Sequence, residues 1–229
     1  MIETTALIVP AAGSGTRLGM GRPKALIDVG GLALVRRTLM RFVRVSEIVE
    51  ALVVAPGGFI PDIQQALVGL DWPGCEVRVI AGGDSRQESV RLGIEALLSP
   101  VETVCIHDAA RPLVSQATIQ AVLAAARAMG AAIAASRPAD SVREDTADGK
   151  TRPLDRSRLW LVETPQAFAT DLLRRAHDRA RATGVVATDD ASLVESCCGQ
   201  AVRIVESEGL NVKVTRADDL KLVRRILER

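Results

Sequence analysis

Apolar residues fall along this chain in short runs separated by longer stretches with helical spacing. The runs at 6–9, 51–54, 76–80, 103–106 and 131–135 have the length of buried strands. Between them, apolar residues recur every three or four positions near 33–43, 59–69, 86–98 and 116–129, which predicts helices with one buried face. This alternation predicts an α/β fold, with βαβ units, a mostly parallel sheet flanked by helices, and ligands at the carboxyl ends of the strands. The order breaks at 137–163, a strongly charged segment that contains the hairpin signal Asp148-Gly149. A protruding β-arm is expected there, with Trp160 and Leu161 burying its base. Helical patterning returns at 169–183 and near 190–197, followed by a strand at 201–205, the segment 211–215 and an amphipathic helix over 218–227. No repeat, low-complexity tract or linker is visible, so one domain spanning 1–229 is expected.

The first strand runs directly into Pro10-Ala11-Ala12-Gly13-Ser14-Gly15-Thr16-Arg17-Leu18-Gly19, and Pro23-Lys24 follow. Glycines let backbone N–H groups approach phosphate oxygens, and Arg17 and Lys24 supply charge that backbone dipoles cannot. The loop is built for a polyphosphate. It is not a dinucleotide fingerprint, because Leu18 stands where the third glycine belongs. Nor is it a P-loop, since no Gly-Lys-Ser/Thr follows Gly13 at the required distance. Two more candidate loops follow the third and fourth strands, at 82–89 and 107–112, so three loops converge on one sheet edge.

Composition narrows the classes. With 48% hydrophobic residues a large core is available, but Tyr is absent and only three Phe and two Trp occur. Scarce aromatics and a net charge of +1 give no footprint for nucleic acid or a membrane surface. The opening residues lead straight into a strand, so no signal peptide is expected, and the apolar runs are far too short to span a bilayer. The four cysteines show no C-x-x-C spacing, and with two histidines a zinc site is not expected. Reduced thiols in a cytoplasmic protein are the expectation.

Six motifs occur in order: 10–24, Gly82-Gly83-Asp84-x-Arg86-x-x-Ser89-Val90, His107-Asp108-Ala109-Ala110-Arg111-Pro112, Thr164-Pro165-Gln166-Ala167-Phe168, Thr188-Asp189-Asp190-Ala191-Ser192 and Asn211-Val212-Lys213-Val214-Thr215. Together they resemble the 2-C-methyl-D-erythritol 4-phosphate cytidylyltransferase (IspD) family, over nearly the whole chain. The resemblance implies a Rossmann-like nucleotidyltransferase domain of glycosyltransferase-A type. It implies a reaction of CTP with 2-C-methyl-D-erythritol 4-phosphate that releases pyrophosphate, in non-mevalonate isoprenoid synthesis. By motif matching, Arg17 and Lys24 stabilise the transition state, Lys213 brings up the attacking phosphate, and Arg156 reaches it from a neighbouring subunit of a homodimer joined through the arm. Ala11, Ala12, Gly13, Gly83, Asp84 and Ser89 would hold the cytidine, while Asp108, Arg111, Ser141 and Thr188 face the second substrate and the ribose. Ser141 stands where the family usually has Thr, which keeps the hydroxyl and loses a methyl. Mg²⁺ is implied, held mainly by the CTP phosphates. Some relatives carry a fused cyclodiphosphate synthase domain, and with the chain ending at Arg229 that activity is expected to be absent.

Each assignment has a plainer rival on sequence alone. Arg156 lies among Arg152, Asp155 and Arg158, as on a solvated charged face. Lys213 alternates with valines like an exposed strand position, Asp108 suits a helix N-cap, and Arg111 before a proline suits a turn. Arg86 lines the site or faces solvent. His107 beside Asp108 suggests a dyad, but a single histidine at a strand end is more often packed, and it stays outside the site. Among functions, a cytidylyltransferase for ribitol 5-phosphate is the nearest rival. Those relatives carry a bulkier residue where Ala110 stands. A nucleotide-binding protein without catalysis would not need Arg17, Lys24 and Lys213 together, and an oxidoreductase is disfavoured by the misplaced glycine.

Overall fold

A computed structural model of the chain describes residues 3–12 and 22–228. The chain enters through β1 (Thr5–Pro10), and a small hairpin of β2 (Asp28–Val29) and β3 (Leu32–Ala33) leads to α1 (Leu34–Leu39). The βα alternation then runs through β4 (Ile48–Ala55), α2 (Ile60–Leu67), β5 (Glu76–Ala81), α3 (Arg86–Glu95), β6 (Thr103–Ile106), α4 (Gln116–Met129) and β7 (Ala131–Ser136). The arm is a hairpin of β8 (Val142–Asp145) and β9 (Thr151–Leu154). After it come β10 (Leu161–Ala169), α5 (Thr170–Thr183), α6 (Asp190–Cys198), β11 (Arg203–Glu206) and α7 (Ala217–Leu227).

Seven strands form one sheet in the order β11-β7-β10-β6-β1-β4-β5. Neighbours pair in parallel except β10, which runs antiparallel between β6 and β7. The mostly parallel, helix-flanked sheet matches the expectation from the pattern. The strand β10 was not expected, because Thr164, Pro165 and Gln166 interrupt its apolar character. Its buried polar groups are paired instead: Gln166 Nε2 donates to the Glu163 carbonyl at 3.1 Å, and Gln166 Oε1 accepts from Ala191 N–H at 3.3 Å.

Alternate residues of β1 feed two cores. Leu7 and Val9 pack with Val53, Phe42 and Ile119 on one face, and Ala6 and Ile8 pack with Val90, Val104 and Phe168 on the other. A third, smaller cluster gathers Ile27, Val29, Leu34, Ala110, Val214, Leu220 and Val223. It binds α7 and the 211–215 segment to the residues just after Lys24. Burying each such side chain contributes about 1.5–3 kcal/mol, so two distant pieces of sequence are held side by side. The segment 211–215 is therefore an extended loop anchored by Val214, rather than a sheet strand.

Helix ends follow local chemistry. Ser85, Ser115 and Asp189 cap α3, α4 and α6 by accepting from Glu88 N, Thr118 N and Ser192 N at 3.0, 3.0 and 2.8 Å. Gly130 ends α4 in the left-handed region at φ 82°, where a side chain would be strained. In the arm, Asp148-Gly149 does form the tight turn, closed by Thr146 N–H donating to Lys150 O at 2.8 Å. Its base differs from expectation. Trp160 is half-buried beneath the Arg137 guanidinium, 3.5 Å from the ring centre, but Leu161 is 52% exposed. Pairing of Leu161 with Ser136 at the strand edge points its side chain away from any core of this chain.

Candidate active site

The carboxyl ends of β1 and β6 and the loop between β5 and α3 surround a cavity of about 500 Å³. Small residues and backbone make one wall: Ala11, Ala12, Gly83, Ala109 and Ala110. Lys24, Asp84, Arg86, Ser89, Asp108 and Lys213 bring polar groups to it. Close packing shapes the wall. A Cβ on Gly82 would lie 2.8 Å from Ser89 Oγ, 3.1 Å from Val54 and 3.3 Å from Ala12. The Ser89 hydroxyl is occupied in the loop itself, donating to Ser85 O at 2.8 Å and accepting from Gly83 N–H at 3.2 Å. Ser89 thus fixes the conformation of the glycine loop from beneath.

Asp108 is the electrostatic centre. Its carboxylate meets Lys213 Nζ at 2.7 Å, Arg86 Nε at 3.5 Å and Arg111 Nε at 3.6 Å. Burial alone would raise its pKa, but Arg86, Lys213 and Arg111 outweigh burial and hold it well below the usual carboxylate range. Arg86 also reaches Asp190 at 2.7 Å, so it bridges two buried carboxylates beside the cavity. That settles the alternative left open for Arg86. Lys24 opens a turn of 3-10 helix (Lys24–Leu26) after Pro23, and its Nζ donates to Val214 O at 2.8 Å. The cations contributed by the first loop and by the 211–215 segment are therefore neighbours.

His107 lies outside this chemistry. It is fully buried, and the Thr164 hydroxyl beside its Nδ1, at 3.1 Å, also accepts from Asp108 N–H at 3.0 Å. Arg111 O, 3.0 Å from Nε2, can only accept, so Nε2 carries the hydrogen of the neutral ring and Nδ1 accepts from the Thr164 hydroxyl. Burial pushes its pKa down to about 4, so the ring is a neutral strut. Asp108 caps no helix; it begins a turn in which Arg111 N–H donates to Asp108 O at 3.0 Å.

A second cavity, of about 230 Å³, adjoins the first across Asp108, Arg86 and Lys213. Arg111, Thr188, Glu163 and Thr164 line its far side. Arg111 is buried and also donates to Asn211 O at 2.6 Å, which ties it to the Lys213 segment. Of the residues expected at the site, Ala11, Ala12, Lys24, Gly83, Asp84, Ser89, Asp108 and Lys213 meet at the first cavity, and Arg111 and Thr188 join at the second. Gly13 and Arg17 lie outside the described residues. Ser141 and Arg156 line neither cavity; both are exposed on the arm, and Arg156 Nη1 donates to Ala139 O beside Arg137. The sequence reading placed Gly82 and Asp190 in motifs without giving either a role, and it gave Glu163 none. A pair of glycines before Asp84 was the only available signal for the first, and the acidic pair Asp189-Asp190 for the second.

Among the described residues, no group of three His, Cys, Asp or Glu side chains is placed to hold a metal ion. No helix among them is long and apolar enough to cross a membrane. All four cysteines are free thiols.

Comparison with known proteins agrees with this geometry. The family model for IspD, 2-C-methyl-D-erythritol 4-phosphate cytidylyltransferase, matches residues 5–229. The chain is similar to the enzyme of that name from Deinococcus radiodurans, with 42% identity over 95% of this chain and 87% of the relative. It is 38% identical to the one from Syntrophus aciditrophicus, over 97% of this chain and 95% of the relative. Among solved structures, the 4-diphosphocytidyl-2C-methyl-D-erythritol synthase of Anaerococcus prevotii superposes with a TM-score of 0.87 at 28% identity, each chain covered completely. The 2-C-methyl-D-erythritol 4-phosphate cytidylyltransferase of Thermus thermophilus gives 0.79 at 35% identity, over 99% of this chain and all of that one. The match of the family model from the first strand onward, with a cavity on this sheet lined by small residues and by Lys24, Arg86 and Lys213, places the protein in the 2-C-methyl-D-erythritol 4-phosphate cytidylyltransferase (IspD) family of nucleotidyltransferases.

Proposed function

We propose that the chain transfers CMP from CTP to 2-C-methyl-D-erythritol 4-phosphate, releasing pyrophosphate, as a step of non-mevalonate isoprenoid synthesis in the cytoplasm. The observation that carries this reading is the meeting of Lys24, Lys213 and Asp108 at one cavity that backbone and small side chains also line. A wall of Ala11, Ala12 and Gly83 suits a pyrimidine read through its edges, and the cations face the phosphates.

The attacking group is a phosphate monoester, already largely dianionic at neutral pH because its second pKa is about 6. It needs no general base, which agrees with a His107 kept neutral and enclosed. The barrier is the approach of one anion to another, so the protein works by positioning and by charge. Lys24, with Arg17, meets charge developing on the α-phosphate and the departing pyrophosphate. Lys213 rests on Asp108, and an arriving phosphate competes with that carboxylate for the ammonium. Thr188 and Arg111 border the adjoining space for the polyol. Mg²⁺ accompanies the nucleotide in this reading. The described side chains offer it no cage, which suits an ion held by phosphate oxygens and water, where it supplies neutralisation of triphosphate charge.

The arm completes the site from a second copy of the chain. Arg156 and Ser141 project from it, and a homodimer delivers Arg156 to the substrate phosphate of its neighbour. Against ribitol 5-phosphate as the acceptor stands Ala110, a small residue lining the cavity. A pyrophosphate-release assay across the four NTPs and several polyol phosphates tests the whole reading. CTP with methylerythritol phosphate should give the highest kcat/KM. A higher value with ribitol 5-phosphate overturns the acceptor, and equal turnover of ATP overturns the cytidine pocket.

A further inference from the structure

The segment carrying Lys213 has no regular secondary structure between β11 and α7, so other groups must fix it. Backbone contacts supply part of that: Ser207 N–H donates to Ala135 O and Val214 N–H to Ala110 O, each at 2.8 Å. Side chains supply more: Arg111 donates to Asn211 O, Lys24 to Val214 O, and Thr118 Oγ1 accepts from Glu208 N–H, while a further set of bonds converges on one carboxylate. Glu163 accepts from Ser207 Oγ at 2.8 Å, from Asn211 Nδ2 at 2.8 Å and from Ser136 Oγ at 2.7 Å. Asn211 is buried, and its amide also donates to Thr164 O at 2.8 Å. Ser136 ends β7, where the arm departs, and Glu163 stands in β10, where the arm returns. Ser207 and Asn211 flank the approach to Lys213. One side chain therefore joins both roots of the arm to the segment that presents a substrate-facing cation.

The chemistry of the donors is informative. Among the described residues Glu163 has hydroxyl and amide donors and no ion pair, although the second cavity that it borders also holds Arg86, Arg111 and Lys213. Bonds to an ionised acceptor are about twice as strong as neutral ones. A carboxylate turned onto neutral donors keeps its charge off the neighbouring cations and spends it on geometry. We infer that Glu163 is a positioning residue that couples the arm to Lys213, an inference that rests on the role proposed above for Lys213. Seating of the arm on a second copy and placement of the phosphate-gripping lysine are then mechanically linked.

The test is a double-mutant cycle on the full-length chain, using Glu163→Met and Glu163→Gln alone and with Lys213→Ala. Glu163→Met keeps length and removes the acceptors. Its KM for methylerythritol phosphate should rise about 10- to 100-fold, the scale of a small misplacement of a substrate-binding group. KM for CTP should change by less than about twofold, and Glu163→Gln, which retains one acceptor oxygen, should fall between. In the Lys213→Ala background the Glu163 substitutions should add little. Hydrogen exchange should quicken at 207–214 in both variants, with β1 and β4 unchanged. Additive effects in the cycle, or equal rises in both KM values, overturn the coupling. If Glu163→Met does not fold, Glu163→Gln decides alone, and wild-type kinetics with wild-type exchange overturn it. A Lys213→Ala enzyme with unchanged KM for the phosphate substrate removes the role of Lys213 instead. Faster exchange at 207–214 would in that case still support the tie to the arm.

Discussion

Lys24 and Lys213 differ in when their charge matters. Lys24 is proposed to meet charge that grows during transfer, so Lys24→Ala should lower kcat by about 10²–10³, by analogy with other preorganised stabilisers, with a smaller change in KM for CTP. Steady-state kinetics on a folded variant check this, and near-wild-type turnover would remove that role from Lys24. His107 supports a prediction about pH. Its folded pKa of about 4 lies below its ordinary 6.5, so between those values the unfolded chain binds a proton that the folded chain refuses. Stability should therefore fall as pH drops from about 6.5 to about 4, by roughly 3 kcal/mol from this group, and then level off for it. His177, also lowered by burial, acts in the same direction. Urea midpoints measured across that window should show a shallower slope for His107→Gln, and an unchanged slope would refute the assignment. Lys24, Asp108 and Lys213 were legible because each sits in a short motif. Arg86 was seen but not placed, Asp190 stood in a motif without a role, and Glu163 was missed. Their partners lie up to about a hundred residues away, and nothing local to a buried acid announces which distant donor it meets.

The loop between β5 and α3 shows how an element can be specified by what it lacks. Gly82 stands against Ser89, Val54 and Ala12, and the nearest of these would be 2.8 Å from an added Cβ. Gly82→Ala should displace the loop and cost about 1–3 kcal/mol as overpacking does, while raising KM for CTP, because Ala12 and Ser89 line the cavity. Thermal unfolding together with CTP kinetics checks both halves. Full stability and unchanged KM would mean that the loop tolerates the methyl. The strands β1, β4, β6 and β7 were readable because nearly all their residues are buried and their apolar runs are long enough to stand out. The strand β10 was not, since it replaces apolar side chains with paired polar ones: Thr164 serves His107 and Asp108, and Gln166 serves the start of α6. The 211–215 segment was read as a motif, with an exposed strand position as the plainer rival for Lys213. It alternates like a strand, but Val214 packs into the small third core and the loop is held by side chains.

The arm is where the proposed homodimer would form. Ser141 and Arg156 flank the base of its hairpin and line neither cavity of their own chain, and beside them Leu161 and Val162 are 52% and 44% accessible. Exposed apolar residues at the foot of a charged projection suit a contact with a second copy. In the proposed homodimer, each site takes Lys24 and Lys213 from one chain and Arg156 from the other. Arg156→Ala should then raise KM for methylerythritol phosphate and leave affinity for CTP nearly unchanged. Mixing Arg156→Ala with Lys24→Ala separates sharing from mere proximity. A mixed dimer would assemble one site with both defects and one with neither, so activity should partly return as subunits exchange. With random exchange half of the dimers are mixed and each has one intact site, which sets recovery at about a quarter of the wild-type rate. Because Glu163 joins the arm to the Lys213 segment, recovery should also weaken when Glu163→Met is placed on the Lys24-intact chain, and be less affected when it is placed on the other. Confirmed exchange without recovery, or a fully active monomer, would confine the site to a single chain.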